Sequence, residues 1–228
     1  MQLLVSPRDI EEAKRSLAAD IVDVKKPDEG SLGANFPWVI RAIKNLSTKP
    51  VSAAIGDYDF KPGGASLAAY GAAHAGADYI KIGLKFDGAE RAAEVIRNVV
   101  KAVKMDFPEK YVVIAAYSDH DRLDTISPFE ITPLAAAAGA DVAMIDTGMK
   151  DGKSTFEFMT EADLVEFTRM NREAGLKTAL AGSLKFEDIE TLKRIDPDII
   201  GVRGMVCGGD RESSIREDLV ARLVGMVH

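Results

Sequence analysis

Cysteine is nearly absent from this chain. The single Cys207 can close no disulfide within it and supply no thiolate-rich metal site, which suits a reducing compartment. Histidine is almost as scarce, since His74, His120 and His228 are the only imidazoles, too few for a multi-histidine metal centre. Long hydrophobic runs are missing as well. The opening Leu3-Leu4-Val5 meets a polar break at Ser6-Pro7-Arg8, too short for a signal-peptide core or a membrane span, and Pro133–Gly139 is alanine-rich rather than lipophilic. These absences predict a cytoplasmic protein with no membrane partner. There is no excess of basic charge: a net charge of −7 and a pI near 5.1 argue against an extended nucleic-acid surface, so any phosphate site must be local.

What is present is a strong apolar fraction, 46% of 228 residues beside 29% charged. That supports one folded domain over residues 1–228. Short β-rich runs recur at even intervals: Leu3–Val5, Ile21–Lys25, Val51–Gly56, Tyr79–Leu84, Val112–Tyr117, Val142–Asp146, Lys177–Ala181 and Ile199–Arg203. Helical stretches lie between them, with starts at Ser6-Pro7 before Arg8–Ala18, Asn35-Phe36-Pro37 before Trp38–Leu46, Ser127-Pro128 before Phe129–Ala138, and Thr160 before Glu161–Ala174. Gly76, Gly139 and Gly175 end helices in steps that call for a left-handed turn. Eight alternating βα units predict a (β/α)8 barrel. An open doubly wound sheet ranks second, because Val5-Ser6-Pro7-Arg8 replaces the glycine-rich dinucleotide fingerprint after the first strand.

Strand parity then locates chemistry. Side chains two apart share a face, and the C-terminal strand ends of a barrel carry the active site. In Ile21-Val22-Asp23-Val24-Lys25, inward-facing Asp23 and Lys25 follow if Val22 and Val24 pack on the helices. Lys81 sits between Ile80 and Ile82, and Asp146 stands at a strand mouth with Lys150 just beyond. All these come from the second, fourth and sixth strands, whose side chains share interior layers. A buried lysine must be paired or neutral, and crowding among cations lowers its proton affinity, as attack on a carbonyl to form a Schiff base requires. The competing reading makes Asp23–Lys25 and Asp146–Lys150 barrel-mouth ion pairs.

A phosphate site is the second signal. Gly182-Ser183 and Arg203-Gly204 end the last two strands, with Gly208-Gly209 beyond, where barrels present backbone N–H groups to an anion. Arg203 either pairs with the phosphate or braces the barrel bottom, and the glycines either hold the anion or cap strands. A final helix starting near Ser214 has Glu217 at capping-box spacing. His74 reads as a packing or surface residue, His120 as a substrate contact or loop cap, and Asp57 as a mouth-lining or helix-capping residue. No activating base is evident for Cys207.

These residues carry a family likeness. Leu3-Leu4-Val5-Ser6-Pro7, Asp23-Val24-Lys25, the segment Glu29-Gly30-Ser31-Leu32-Gly33-Ala34-Asn35-Phe36-Pro37-Trp38 and Gly76-Ala77-Asp78-Tyr79-Ile80-Lys81 are among them. So are Asp141-Val142-Ala143-Met144, Asp146-Thr147, Lys150-Asp151-Gly152-Lys153, Ala179-Leu180-Ala181-Gly182-Ser183, and Gly201-Val202-Arg203-Gly204 with Gly208-Gly209-Asp210-Arg211. Together they resemble the archaeal (5-formylfuran-3-yl)methyl phosphate synthase family from end to end. The resemblance implies a (β/α)8 barrel that condenses two glyceraldehyde 3-phosphate molecules into the furan phosphate, releasing one phosphate and two waters, early in methanofuran biosynthesis. It implies no metal or organic cofactor, with Lys25 as the Schiff-base lysine, Lys81 as the proton-transferring residue, and Asp23, Asp146 and Lys150 completing the site. One departure stands out: Lys26 replaces the asparagine expected after the nucleophile, and parity favours Lys25 because Lys26 points to the opposite side. Another lysine aldolase, a phosphate-binding isomerase and a non-catalytic metabolite-binding barrel compete with this reading, and self-association into a homo-oligomer stays open.

Overall fold

Strand parity and helix caps build the same architecture in three dimensions. A computed structural model describes residues 1–228. Its strands are β1 (Gln2–Val5), β2 (Ile21–Val24), β3 (Val51–Tyr58), β4 (Tyr79–Leu84), β5 (Tyr111–Tyr117), β6 (Val142–Asp146), β7 (Lys177–Leu180) and β8 (Ile199–Val202). All neighbours pair in parallel and β8 returns to β1, closing a (β/α)8 barrel. The helices are α1 (Ile10–Arg15), α2 (Pro37–Leu46), α3 (Pro62–Ala75), α4 (Ala89–Lys104), the short α5 (His120–Leu123), α6 (Pro128–Ala138), α7 (Glu161–Glu173), α8 (Ile189–Ile195) and α9 (Glu217–Val227). No helix is long and apolar enough to cross a membrane.

Pleat alternation divides the apolar residues into two cores. Val22, Val24, Ile80, Ile82 and Ile145 join the larger cluster of 53 buried residues, between strands and helices. Ile21, Tyr79, Val113, Met144, Ala179 and Ile199 belong to a 12-residue cluster that fills the barrel's lower interior. Asp23, Lys25, Lys81 and Asp146 continue the inward-facing positions of that second set toward the C-terminal ends of their strands, and all four are buried.

The N-terminal end of the barrel is tied by a repeated device. Asp20, Asp78, Asp141 and Asp198 precede β2, β4, β6 and β8, and each carboxylate accepts a backbone N–H from the neighbouring odd-numbered strand. The donors are Leu3, Val51, Val112 and Thr178, at 2.8, 2.7, 2.7 and 2.8 Å. A parallel strand begins with an N–H that its neighbour cannot satisfy, and the aspartates supply the acceptor. Lys44 and Lys104 pair with Asp78 and Asp141 at 2.6 and 2.9 Å.

Two predicted helix starts are displaced. The first helix begins not after Ser6-Pro7 but at Ile10, because Asp9 caps it by accepting the Glu12 N–H at 2.8 Å, while the Pro7 carbonyl is taken by the Lys25 N–H. It also stops at Arg15, short of Ala18. The last helix begins at Glu217 behind Arg216 with no side-chain cap, so the Ser214–Glu217 capping box does not form. The glycine stops do occur: Gly76, Gly139 and Gly175 have φ of 111°, 78° and 77°.

Removing one strand-end acceptor tests the aspartate device. Asp141→Ala should lower unfolding free energy by about 1–3 kcal/mol by orphaning the Val112 N–H, as read by urea denaturation. A fully stable variant would show that water replaces the carboxylate without loss.

Candidate active site

The C-terminal face of the barrel holds a cavity of about 750 Å³. Lys25, Lys81, Asp146 and Lys150 stand in its floor and wall, and Gly182, Ser183, Arg203, Gly204, Gly208 and Gly209 line its other side. Every sequence-predicted site residue except Asp23 therefore borders one space. Asp23 lies directly beneath, reached through Lys81.

The deepest contact is an ion pair. Lys81 Nζ donates to Asp23 Oδ2 at 2.8 Å, with the two side chains 2% and 0% exposed. Ser6 Oγ, just past β1, donates to the same oxygen at 2.8 Å and Ser52 Oγ to Oδ1 at 2.6 Å, so three donors satisfy the carboxylate. Burial opposes the charge on Asp23, but Lys81 and Lys25 outweigh it and hold the carboxyl below its usual range. A second pair lies nearer the mouth, where Lys150 Nζ donates to Asp146 Oδ1 at 2.7 Å and to Thr147 Oγ1 at 2.9 Å. Burial again resists ionisation, and Lys150 followed by Lys25 overcomes it, leaving Asp146 at about 2.

Lys25 lies in the cavity without a carboxylate in salt-bridge contact. Its only side-chain hydrogen bond is a long one, 3.4 Å, to the Ser31 carbonyl. Burial drives its amine down to about 8; Lys81 and Lys150 repel its charge, while Asp146 and Asp23 partly restore it. At pH 7 the neutral fraction is then roughly 300-fold that of an ordinary lysine. Lys26 differs in every respect: it turns outward, pairs with Glu29 at 2.8 Å and lies over the Phe36 ring. Glu29 holds its proton more tightly than usual, so of the two adjacent lysines only Lys25 has a nucleophile's environment.

The glycine-rich side is shaped for close approach. Gly182 (φ 97°) and Ser183 (φ 51°) are both left-handed after β7, as are Gly208 (φ 79°) and Gly209 (φ 98°) after β8. Ser183 holds that conformation without being a glycine, a strain concentrated where β7 opens onto the cavity. A Cβ on Gly182 would collide with Thr155 and Thr147.

Arg203 is a brace. Its guanidinium donates to both Glu12 carboxylate oxygens, at 2.6 and 3.3 Å, and to the carbonyls of Ser6, Arg211 and Ser213 at 2.9, 2.8 and 3.4 Å. All five N–H groups are engaged, so none is left to an anion in this arrangement. The brace lies at the top of the barrel rather than the bottom, tying α1 and the end of β1 to the loop that follows β8. Arg211, Arg216 and Lys185 supply cations at the rim instead. Sequence reasoning missed these three, and only loop packing turns them toward the cavity.

The remaining candidates separate cleanly. His74 is exposed and packs near Tyr70 and Phe107, away from the cavity. His120 opens α5 beside Asp121 and does not line the cavity. Cys207 is buried, which raises its thiol's proton affinity. Asp57 lies under the loop after β2, where it accepts the Leu32 N–H at 3.1 Å.

A closed parallel barrel with lysines and carboxylates converging at its C-terminal mouth defines a (β/α)8-barrel enzyme. The family model described as 4-HFC-P synthase matches residues 3–224, and this chain belongs to that family, the (5-formylfuran-3-yl)methyl phosphate synthases. Proteins of that name from Methanosarcina acetivorans and Methanosarcina barkeri are 60% and 58% identical to it over 229 residues, covering 98% of each chain. The one from Archaeoglobus fulgidus is 51% identical over 234 residues, covering 100% of both. The fold is shared more widely. A 3-hexulose-6-phosphate synthase superposes with a TM-score of 0.70 at 20% identity, covering 100% of both chains. An orotidine 5'-monophosphate decarboxylase from Methanocaldococcus jannaschii superposes with a TM-score of 0.70 at 15% identity, covering 100% of this chain and 98% of that one.

The lowered proton affinity of Lys25 carries a stability consequence with a definite sign. Its folded-state value lies below the unfolded one, so charge on Lys25 costs stability throughout the range below about pH 8, a cost relieved as pH rises toward 10.5. Lys25→Met should therefore stabilise the fold at pH 7 by about 1–3 kcal/mol, with the gain shrinking above pH 8. Urea unfolding at pH 7 and pH 10 reads this, and a variant less stable than the parent at pH 7 would contradict it.

Proposed function

We propose that this protein condenses two glyceraldehyde 3-phosphate molecules through a Lys25 Schiff base to (5-formylfuran-3-yl)methyl phosphate, in methanofuran biosynthesis. One observation carries the reading: a buried amine lowered to about 8, free of any carboxylate contact, between two carboxylate-paired lysines. That is the arrangement a carbonyl-attacking lysine needs. The close relatives named as the furan phosphate synthase supply the product.

In the proposed sequence neutral Lys25 attacks the carbonyl carbon of one triose phosphate, a carbinolamine forms, and water leaves to give the iminium. The iminium withdraws electrons from the adjacent carbon, so a proton can be taken there and the resulting enamine carbon can attack the aldehyde of the second triose. Lys81 would move protons during isomerisation, phosphate elimination and dehydration, taking back from substrate each proton it gives, with the ionised Asp23 carboxylate favouring its charged form. Asp146 and Lys150 face the same space and serve a second proton path nearer the mouth. The balance closes: two trioses lose one phosphate and two waters, hydrolysis of the imine returns Lys25, and no electrons enter or leave.

The volume and charge of the cavity support two phosphorylated substrates. At about 750 Å³ it has room for both. The left-handed pairs at Gly182-Ser183 and Gly208-Gly209, with Gly204, would present backbone N–H groups to one phosphate. Lys185, Arg211 and Arg216 at the rim would attract the other. The substrates are small molecules, and the reading requires no cofactor, no nucleic acid and no membrane. A cytoplasmic setting, with self-association into a homo-oligomer, is compatible with it.

Borohydride reduction in the presence of glyceraldehyde 3-phosphate, followed by peptide mapping, tests the nucleophile. A reduced adduct should appear on Lys25, persist in Lys26→Ala and vanish in Lys25→Ala. Lys25→Arg should keep the charge and lose turnover by at least about a thousandfold, because a guanidinium forms no imine. An adduct on Lys26 or Lys81 would move the role to that residue. Saturable binding without an adduct would replace catalysis by a phosphate-metabolite binding function.

A further inference from the structure

Asp57 and Tyr117 lie outside the cavity, yet they form one of the tightest polar contacts in the barrel. Tyr117 Oη, at the end of β5, donates to Asp57 Oδ1 near the end of β3 at 2.5 Å. Burial and the Asp57 carboxylate push the phenol well above its ordinary range, so it remains a donor. The same carboxylate accepts the Leu32 N–H at 3.1 and 3.2 Å through its two oxygens. Leu32 belongs to the loop that follows Lys25, and its side chain is fully buried in the inner cluster.

Two glycines make this junction possible. Gly30 has φ of 136°, a left-handed value that favours glycine, and a Cβ there would collide with the Asp57 carboxylate. On β4, a Cβ at Gly83 would run into the Tyr117 hydroxyl and crowd Asp57 and Leu32. Between Gly30 and Leu32, Ser31 is buried; its hydroxyl donates to the Thr147 carbonyl beyond β6 at 2.7 Å, and its own carbonyl faces Lys25 Nζ. The loop is thus pinned at both sides of the mouth and lies against Lys25 on the side away from the cavity, whose lining comes mostly from β1, β6, β7, β8 and the loops beyond them.

We propose that Asp57 and Tyr117 are positioning residues, a buried clamp that holds this loop closed over Lys25 and so keeps the amine out of water. The proposal rests on Lys25 as the reacting amine, and the clamp can be read without turnover. Lys25, just past the end of β2, is faced by Asp23 from β2, Lys81 from β4, Asp146 from β6 and Lys150 from the loop beyond, whereas Asp57 and Tyr117 act on it through the covering loop. Opening that loop has two opposed effects. Losing the Ser31 carbonyl would disfavour the charged amine, and admitting water would favour it. The hydrogen bond is long and burial is the largest influence on Lys25, so water wins and proton affinity rises.

Competitive acetylation by acetic anhydride, with the Lys25 peptide followed by mass spectrometry as a function of pH, measures this in the whole chain without substrate. Tyr117→Phe and Asp57→Ala should move the Lys25 midpoint to alkaline pH by about half a unit or more, cutting neutral-pH labelling at least about threefold. The acid limb of the kcat/KM profile should move with it, and activity should recover at alkaline pH. Ser31→Ala cuts the loop's tether to Thr147 without touching the buried pair, and it should shift the midpoint the same way, which covers the case in which Tyr117→Phe does not fold. Asp141→Ala, at the opposite end of the barrel, should lose stability and leave the midpoint in place. An unmoved midpoint in folded Tyr117→Phe, Asp57→Ala or Ser31→Ala chains, or an equal shift in Asp141→Ala, would overturn the clamp. Because acetylation needs no substrate, those results stand apart from borohydride trapping: a Lys25 adduct with an unmoved midpoint sinks the clamp alone.

Discussion

A lysine and an aspartate side by side in the interior of an apolar barrel set the terms for the rest of the site. Charge that deep is costly unless it is paired and every remaining lone pair is answered. Asp23 meets that condition with Lys81 and with hydroxyls from Ser6 just past β1 and Ser52 on β3. Three strands and the turn after a fourth are thereby joined at one carboxylate. The ion pair also fixes how much positive charge lies beneath Lys25. Burial is what chiefly disfavours an ammonium at Lys25, and the charges of Lys81 below and Lys150 beside it add to that against the pull of Asp146 and Asp23. Such pairs add little net stability. Lys81 and Asp23 act on Lys25 in opposite directions, so burial rather than the pair sets the proton affinity of that amine.

Above that floor the barrel mouth is asymmetric. The loop after β2 crosses it, with Leu32 dropped into the interior and Ser31 tied to Thr147. The cavity is left open over the ends of β6, β7, β8 and β1. On that open side the glycine turns after β7 and β8 face the lysines across the space. Arg203 joins the two levels, because its engagement with Glu12, Ser6, Arg211 and Ser213 holds the loop after β8 against α1. The opposite end of the barrel has no comparable opening. There the four aspartates that precede the even strands satisfy strand-end N–H groups, so the ends of the barrel divide stability from chemistry.

Much of this was legible in the order of residues. Alternating βα units, proline-led helix starts and glycine stops are local signals whose periodicity survives in one dimension, and they led to the barrel. Parity on β2, β4 and β6 singled out Asp23, Lys25, Lys81 and Asp146, because a polar side chain repeated among valines and isoleucines implies an inward face. The four strand-end aspartates went unread, because their acceptor role depends on a neighbour whose register no local signal supplies. Arg203 read as either phosphate ligand or brace, and its partner Glu12 lies 191 residues away. The start of α1 was misplaced at Ser6-Pro7, because the Pro7 carbonyl is taken by the Lys25 N–H just past β2, a contact no local signal shows, and Asp9 caps the helix instead.

The sequence by itself determined the barrel, the inward faces of its strands and the identity of the charged residues at their ends, since all three follow from residue type at a period of two or 3.6. Tertiary structure alone decided which lysine carries a carboxylate and which is left unpaired, why the mouth opens on one side, and what Asp57 and Tyr117 hold. Pairing, burial and proton affinity depend on distances between strands far apart in the chain, and those distances exist only after the barrel has closed.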